Sequence, residues 1–283
     1  MIGIFDSGIG GLTVVKEVLR QLPEYQFLYL GDTARTPYGN RSQDLIYQFM
    51  VGIVDYLFKA GCELIIVACN TASAQALRKI QQEWLPKHYP SATAVAGQAN
   101  SGQRPSKRVL GVIRPVAEEA VKLSRSGRIG VVGTRSTINS GAYRREIEQL
   151  NPEIKVFQQA CPLLVPLIEE GWLKRPETIK ILRYYLRSLK QQKIDTLILG
   201  CTHYPILFKE FQQISGRQVK VLDSAKIIVE KLVDYLKRHP EIESKLTKGK
   251  QHRYLVTDLT DKFQENAQNW LGQKIKLEKI SLD

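Results

Sequence analysis

The sequence predicts an α/β fold: two similar doubly wound α/β lobes related by pseudo-symmetry, with the active site in the cleft between them. Three observations carry that prediction. Short apolar runs of the kind that build parallel strands buried on both faces alternate with segments of helical periodicity. Two of those runs, Leu64 to Ala68 and Thr196 to Gly200, lead into Cys69-Asn70-Thr71 and Cys201-Thr202-His203. Setting RIGVVGT (128–134) over MIGIFDS (1–7), and LILGCTHYP (197–205) over LIIVACNTAS (64–73), exposes a weak internal repeat. Residues 1–98 together with 208–283 are expected to form the first lobe, and residues 99–207 the second.

Composition narrows the class. At 283 residues, 43% hydrophobic and 24% charged, the chain reads as an ordinary globular protein. No apolar stretch approaches the roughly 20 residues of a membrane span. MIGIFDSGIGG enters a strand and a glycine turn at once, unlike a signal peptide, so a cytoplasmic location is expected. Cys62, Cys69, Cys161 and Cys201 form no disulfide framework and no CxxC pair, which suits free thiols in a reducing compartment. The formal charge is +13, but the basic residues are scattered over Arg104, Lys107 and Arg108, Arg144 and Arg145, Lys174 and Arg175, and Lys237 to Lys250. No helix-turn-helix, zinc finger or aromatic-interleaved basic strand accompanies them, so they read as solvated surface and nucleic acid is not expected as a partner.

Taken in order, Ile2 to Phe5 is a strand, Asp6-Ser7-Gly8-Ile9-Gly10-Gly11 a glycine-rich turn, and LTVVKEVLRQL a helix. A dinucleotide fingerprint would need a third glycine where Thr13 stands, although Asp32, after the strand Phe27 to Leu30, is spaced like a ribose-binding acid. The loop suits another use better: its glycines let backbone amides approach a carboxylate, and Asp6 sets an acid at the strand end. Tyr38, between Pro37 and Gly39, belongs to a turn that either meets a ligand or merely faces solvent. A helix follows through about Phe58. After the strand ending at Ala68 comes a helical ASAQALRKIQQEW, whose N-terminal amides and dipole favour a thiolate at Cys69.

The stretch Tyr89 to Lys107 turns small, polar and glycine-containing, as a linker or long loop does. Val109 to Ile113 reads as a strand, VAEEAVKLSR as a helix, and Arg128 to Val132 as a strand ending in Gly133-Thr134. Glu169 and Glu170 sit before Gly171 at a helix boundary, and PETIKILRYYLRSLKQQ is an amphipathic helix. Beyond His203-Tyr204-Pro205 come a strand at Val219 to Leu222, a helix at Ala225 to Arg238, a strand at Arg253 to Val256 and a helix at Asp261 to Leu271. These last elements are expected to return to the first lobe, where strands need neighbours on both sides.

Cys62 and Cys161 lack a helix start or an acid–base neighbour and read as small buried hydrophobes. Cys69 and Cys201 fit one of three chemistries. A nucleophilic hydrolase would use Cys201 with His203 and leave Cys69 unexplained. A metal site would take both thiols and His203, but further ligands are scarce. A two-base proton transfer uses both: one thiolate removes a proton from carbon while the opposing thiol delivers one to the other face, inverting the centre. Asp6 and His203 are then the natural groups to adjust the two sulfurs. This third chemistry accounts for the most residues.

Asp6-Ser7-Gly8-Ile9-Gly10-Gly11, Pro37-Tyr38-Gly39, Ala68-Cys69-Asn70-Thr71-Ala72, Val131-Gly133-Thr134, Val165-Pro166-Leu167-Ile168-Glu169 and Gly200-Cys201-Thr202-His203-Tyr204-Pro205 appear together and in order. In these motifs, and through almost its whole length, the chain resembles the glutamate racemases, cofactor-independent enzymes that make D-glutamate for bacterial peptidoglycan. The resemblance implies that Cys69 and Cys201 are the acid–base pair, Cys69 acting on the D enantiomer and Cys201 on the L, assisted by Asp6, His203 and Glu169. It implies that Ser7, Tyr38, Gly39, Asn70, Thr71, Thr134 and Thr202, with Asp6 and His203, hold the carboxylates and amine of L- or D-glutamate. No metal and no cofactor is implied, and a homodimer is.

Two departures stand out: Ala99 to Lys107 looks like an insertion between the lobes, and Arg114 stands in Ile-Arg-Pro where many members carry an acid. Aspartate racemases also pair two cysteines but usually lack the full Cys-Thr-His-Tyr-Pro string. A two-lobed amino-acid-binding protein is the alternative outside enzymes; it would not exchange the Cα hydrogen with solvent.

Overall fold

The computed structural model describes residues 1–90 and 105–282. Residues 99–104 of the expected insertion lie outside the described residues. The strands, in chain order, are β1 (Ile2–Asp6), β2 (Phe27–Gly31), β3 (Leu64–Val67), β4 (Arg108–Gly111), β5 (Arg128–Gly133), β6 (Lys155–Ala160), β7 (Thr196–Gly200), β8 (Lys220–Leu222), β9 (Arg253–Val256) and β10 (Leu277–Lys279). They form a six-stranded sheet in the order β10-β9-β2-β1-β3-β4 and a four-stranded sheet in the order β6-β5-β7-β8. Every pairing between these strands is parallel.

The repeat seen in sequence is thus a repeat of topology. The run β2-β1-β3-β4 has the same order as β6-β5-β7-β8, and the first sheet adds β9 and β10 at its β2 edge. Each sheet reverses direction of build beside its first strand, which puts a ligand crevice at the carboxyl ends of β1 and β3 and of β5 and β7. The expected lobe boundaries at 98/99 and 207/208 assign β4 to the second lobe and β8 to the first. The pairing does the reverse, because each four-stranded unit is completed by the strand that follows its cysteine: β4 pairs with β3, and β8 with β7. The return of β9 to the first sheet is as expected.

Period-two alternation decides which core each strand residue joins. Ile2 and Ile4 of β1, Leu64 and Ile66 of β3, Ile129 and Val131 of β5 and Ile198 of β7 share one central core with Val15, Val116, Ile147 and Ile228 from the intervening helices. On the opposite faces, Phe5, Ile65 and Val67 meet the helix Gln43–Lys59, while Val132, Leu197 and Leu199 meet the helix Pro176–Gln191. Each such aliphatic side chain contributes about 1.5–3 kcal/mol on burial, so the central core couples the two sheets strongly. Continuing the alternation one step past each strand places Cys69 with the outer core of the first sheet and Cys201 with that of the second.

Three local expectations differ from the structure. The strand expected at Val109 to Ile113 stops at Gly111, where an added Cβ would meet the Leu77 side chain, and Ile113 opens the helix Ile113–Leu123. Its apolar residues are buried as a helix start rather than as strand. The helix after Cys69 runs only Asn70–Gln75, breaks at Ala76 (φ −129°) and resumes at Leu77. β10 was not expected: it is three residues long with a single fully buried one, too little pattern for a period of two.

Candidate active site

β1 ends in Asp6 and β3 runs out into Ala68 and Cys69, adjacent strands whose last paired residues are Phe5 and Val67. Cys69 has extended backbone and its sulfur caps the next helix, accepting the Ala72 amide at 3.4 Å. Ser7 Oγ lies 3.4 Å from the same sulfur. Both contacts favour a thiolate, as does the helix start, yet burial dominates. Burial, then the nearby Asp6 carboxylate, push the Cys69 thiol up to about 12 despite Ser7 and the Ala72 amide, and the charge of Cys201 adds to the rise. The helix start does pull toward the thiolate, as its sequence suggests, but a helix of six residues does not offset the burial of the sulfur.

Asp6 is wholly buried. Its Oδ2 accepts the Gly8 amide at 3.0 Å and its Oδ1 accepts Thr202 Oγ1 at 3.2 Å. Burial raises its carboxyl to about 6, against the pull of the His203 charge, the Gly8 and Gly11 amides and Thr202. Gly10 closes this side: any Cβ there would run into the Thr202 hydroxyl and the His203 ring. The glycine turn is shaped for close approach by the loop of the other sheet.

β7 ends at Gly200, a position with no room for a side chain, since a Cβ would come within 2.8 Å of the Val132 carbonyl. Cys201 follows and leads not into an α-helix but into a 3₁₀ turn, Tyr204–Leu207. Its sulfur lies 3.8 Å from His203 Nδ1, and His203 Nε2 lies 3.0 Å from Glu169 Oε1 at the end of the helix Leu164–Glu169. Burial pulls the imidazolium down, but the Cys201 sulfur and the Glu169 carboxylate outweigh it and raise His203 to about 10. Both neighbours thus favour the protonated, cationic form of His203 beside the sulfur. Trp270 meets its ring edge-on at 6.0 Å between centroids, and Asn266 Nδ2 donates to the Glu169 carbonyl at 3.1 Å.

A group of hydroxyls joins the two halves. Thr71 Oγ1 lies 2.9 Å from Thr134 Oγ1 and 3.2 Å from Thr137 Oγ1, and Thr134 Oγ1 caps its helix by accepting the Thr137 amide at 3.2 Å. Gly39 packs on this group; a Cβ there would lie 2.9 Å from Thr134 Cβ. Tyr143 Oη donates to Asn70 Oδ1 at 2.7 Å, and Gln75 Nε2 donates to Ser136 Oγ at 2.9 Å.

The residues singled out in sequence fall into small contact groups at the strand ends: Ser7 with Cys69, Asp6 with Thr202, Cys201 with His203 and Glu169, and Thr71 with Thr134, while Asn70 pairs with Tyr143. Tyr38 stands apart from them through its side chain. Its hydroxyl donates to Asp32, and its ring is buried between Phe5 and Phe49. Asp32 is fully buried and also takes Arg35 Nε at 2.7 Å and Thr257 Oγ1 at 2.9 Å, leaving no carboxylate oxygen for a ribose. The partial dinucleotide reading fails for that reason. Cys62 and Cys161 are buried free thiols, as read from sequence. Among the described residues, no group of three or more His, Cys, Asp or Glu side chains could hold a metal ion, and no helix is long and apolar enough to cross a membrane.

Sequence reasoning missed Thr137, Gln75 and Tyr143. Thr137 carried a faint signal, because Thr134 and Thr137 have the spacing of a helix cap and the residue it serves. Tyr143 carried none; its partner Asn70 is 73 positions away. A cavity of about 870 Å³, lined by residues such as Ile66, Arg78, Arg114, Glu146 and Lys231, lies elsewhere, and none of the strand-end residues above lines it. Convergent titratable groups, not volume, identify the site.

The Asp/Glu/Hydantoin racemase family matches residues 3–232. The glutamate racemase of Geobacter metallireducens is 40% identical over 274 residues, covering 97% of this chain and 93% of its own. The crystal structure of a Bacillus anthracis glutamate racemase superposes with a TM-score of 0.86 at 34% identity, covering 100% of this chain and 97% of that one. A Francisella tularensis glutamate racemase, solved in complex with D-glutamate, gives a TM-score of 0.85 at 34% identity with the same coverage of 100% and 97%.

Proposed function

The chain belongs to the Asp/Glu/Hydantoin racemase family and is an amino-acid racemase; from that premise we propose that it interconverts L- and D-glutamate by proton transfer between two cysteines and Cα. The observation that carries this reading is the placement of Cys69 and Cys201, one after each equivalent strand, with each sulfur given its own polar partners. One thiolate takes the Cα proton: an S–H bond forms, the C–H bond breaks, and the electron pair delocalises into the α-carboxylate. The opposing thiol then gives its proton to the other face of the carbon, leaving a thiolate there. His203 Nδ1, 3.8 Å from the Cys201 sulfur, is placed to exchange a proton with it, while burial raises the Cys69 thiol and favours its protonated form. Removal of a proton by Cys201 and delivery by Cys69 is the direction from L to D.

Hydroxyls of Ser7, Thr71, Thr134 and Thr202, the Asn70 amide, and the backbone around Gly39 are the groups that would hold two carboxylates and an ammonium. A fixed set of donors favours glutamate over the shorter aspartate, because each buried donor left unpaired costs about 1–3 kcal/mol, a tenfold to hundredfold preference. In a cell the reaction would supply D-glutamate for peptidoglycan, from the cytoplasm, without pyridoxal phosphate or metal. A homodimer is part of the proposal; Leu163, Trp172 and Tyr184 are large apolar side chains left exposed.

The test follows optical rotation of pure L- and pure D-glutamate in D₂O without added cofactor. Loss of rotation from both enantiomers, with one deuterium at Cα of the product, is expected. Tight binding with neither change would make the protein a binding module instead.

A further inference from the structure

The geometry points to Tyr143 as a positioning residue that fixes the side chain of Asn70 from the opposite half of the molecule, and so sets the carboxylate-binding donor next to Cys69. This inference rests on the reading of Asn70 as a substrate-binding residue. Tyr143 lies in the helix Ala142–Leu150 and is 1% exposed. A phenol this deeply buried needs a partner for its hydroxyl, and Tyr143 finds it in Asn70 Oδ1 at 2.7 Å. A neutral phenol donates one hydrogen bond, and burial keeps it neutral by raising its pKa. With Oδ1 so engaged, the amide plane of Asn70 is fixed and both Nδ2 hydrogens are turned away from Tyr143. Asn70 is the first residue of the helix capped by Cys69, so the amide held by Tyr143 belongs to the residue directly after that sulfur's own.

The same ring has a second contact. A Cβ at Gly200 would lie 3.0 Å from Tyr143 Cε2, so the aromatic edge rests directly on the backbone before Cys201. One side chain thus touches the residue after the first cysteine and the residue before the second. Its hydroxyl governs the orientation of a donor, and its ring the seat of a strand end. These two functions separate cleanly in Tyr143→Phe, which keeps the ring and removes only the hydroxyl.

The experiment is a double-mutant cycle of wild type, Tyr143→Phe, Asn70→Ala and the pair, with kcat and KM for both enantiomers and a melting temperature for each protein. Tyr143→Phe is expected to raise KM for L- and D-glutamate about tenfold with kcat within about twofold, the signature of lost ground-state positioning. On the Asn70→Ala background it should change KM less than twofold. If Asn70→Ala is impaired but Tyr143→Phe keeps the wild-type KM, the inference is wrong and the reading of Asn70 survives. Full multiplication of the two losses also overturns it. If Asn70→Ala itself keeps the wild-type KM, the reading of Asn70 fails and the inference falls with it. Should Tyr143→Phe not fold, Tyr143→Leu, which also removes the hydroxyl, takes its place in the cycle. A KM raised only where Asn70 is present supports the inference; an unchanged KM overturns it.

Discussion

Cys69 and Cys201 follow β3 and β7, strands that hold the same place in the two sheets, but the sulfurs are served by different chemistry. Cys69 caps a helix, with a serine hydroxyl beside it and a buried carboxylate nearby. Cys201 begins a 3₁₀ turn and faces an imidazolium backed by Glu169. The internal alignment shows where the halves diverged: Asp6 in the first stands where Gly133 does in the second, and Thr71 where His203 does. The scaffold is repeated, and the ionisable residues beside the two sulfurs are on opposite halves. The two also meet, since Thr202 donates to Asp6 and the His203 charge lowers the Asp6 carboxyl. Repetition supplies two strand-end cysteines; difference at two residues gives them different surroundings.

The largest expected effect comes from removing either sulfur. Cys69→Ser and Cys201→Ser should each lose about 10²- to 10⁴-fold in racemisation in both directions, because a hydroxyl cannot cycle as a base near neutral pH. A glutamate analogue that can lose a leaving group from Cβ needs only proton removal. Cys69→Ser should keep elimination from its L form, and Cys201→Ser from its D form. Both variants preferring one enantiomer would mean a single base, and the comparison between the two sulfurs would collapse.

The next effect sharpens the contrast through pH. His203 is raised from its ordinary value of 6.5 to about 10, so its pairing contributes stability that is complete below about 6.5 and disappears as pH climbs through about 10. His203→Gln should flatten that alkaline limb in pH-dependent denaturation and lower activity about a hundredfold. Glu169→Gln, which removes one of the two groups raising His203, should move the limb to lower pH. An unmoved limb in both variants would break the assignment.

Asp6 also favours its protonated form, which for a carboxyl is the neutral one. Its carboxyl is raised from 3.8 to about 6, so the folded state favours the proton. Stability from this group is present below 3.8 and lost as pH rises through about 6, a swing on the order of 3 kcal/mol. Asp6→Asn should therefore gain on the wild type between pH 4 and pH 7 in urea denaturation while losing racemase activity. Ionising this buried carboxyl costs stability, which the amide of Asn does not. A constant difference between the two proteins across that range would rule it out.

Smallest is Arg78→Ala. Its ion pair with Glu146 (2.5 Å) links the helical segment after Ala76 to the helix Ala142–Leu150, but the Arg78 side chain is 58% exposed. Such a pair is worth about 0–1 kcal/mol, so thermal unfolding and kcat should both stay near wild type. A large loss would place the joining of the halves at the surface rather than in the shared core.

Much of this was legible from residues alone. Buried strands announce themselves as apolar runs, and a cysteine at the end of two such runs marked both crevices. The Asp6 turn, the Cys-Thr-His string and Glu169 were readable because each lies in a short, chemically distinctive segment. What escaped was of two kinds. The fates of β4 and β8 depend on which strand edge is free, a property of the assembled sheets that no local pattern encodes. The contacts of Tyr143, Thr137 and Gln75 depend on partners 61 or more positions away. Tyr38 shows the converse case: its motif drew attention, yet its hydroxyl goes to Asp32 in the scaffold below the turn.

The unequal settings of the two sulfurs also have a kinetic consequence. Mirror-image substrates have identical free energies in water, so their equilibrium constant is unity, and the ratio of kcat/KM for the two directions must equal it. Whatever the imidazolium does for Cys201 and the carboxylate for Cys69 cancels from that ratio. It survives in kcat and in KM taken separately, which must differ between directions by the same factor. An enzyme built from unlike halves therefore hides its asymmetry at low substrate and shows it only at saturation, where the enantiomer bound more weakly is also the one turned over faster.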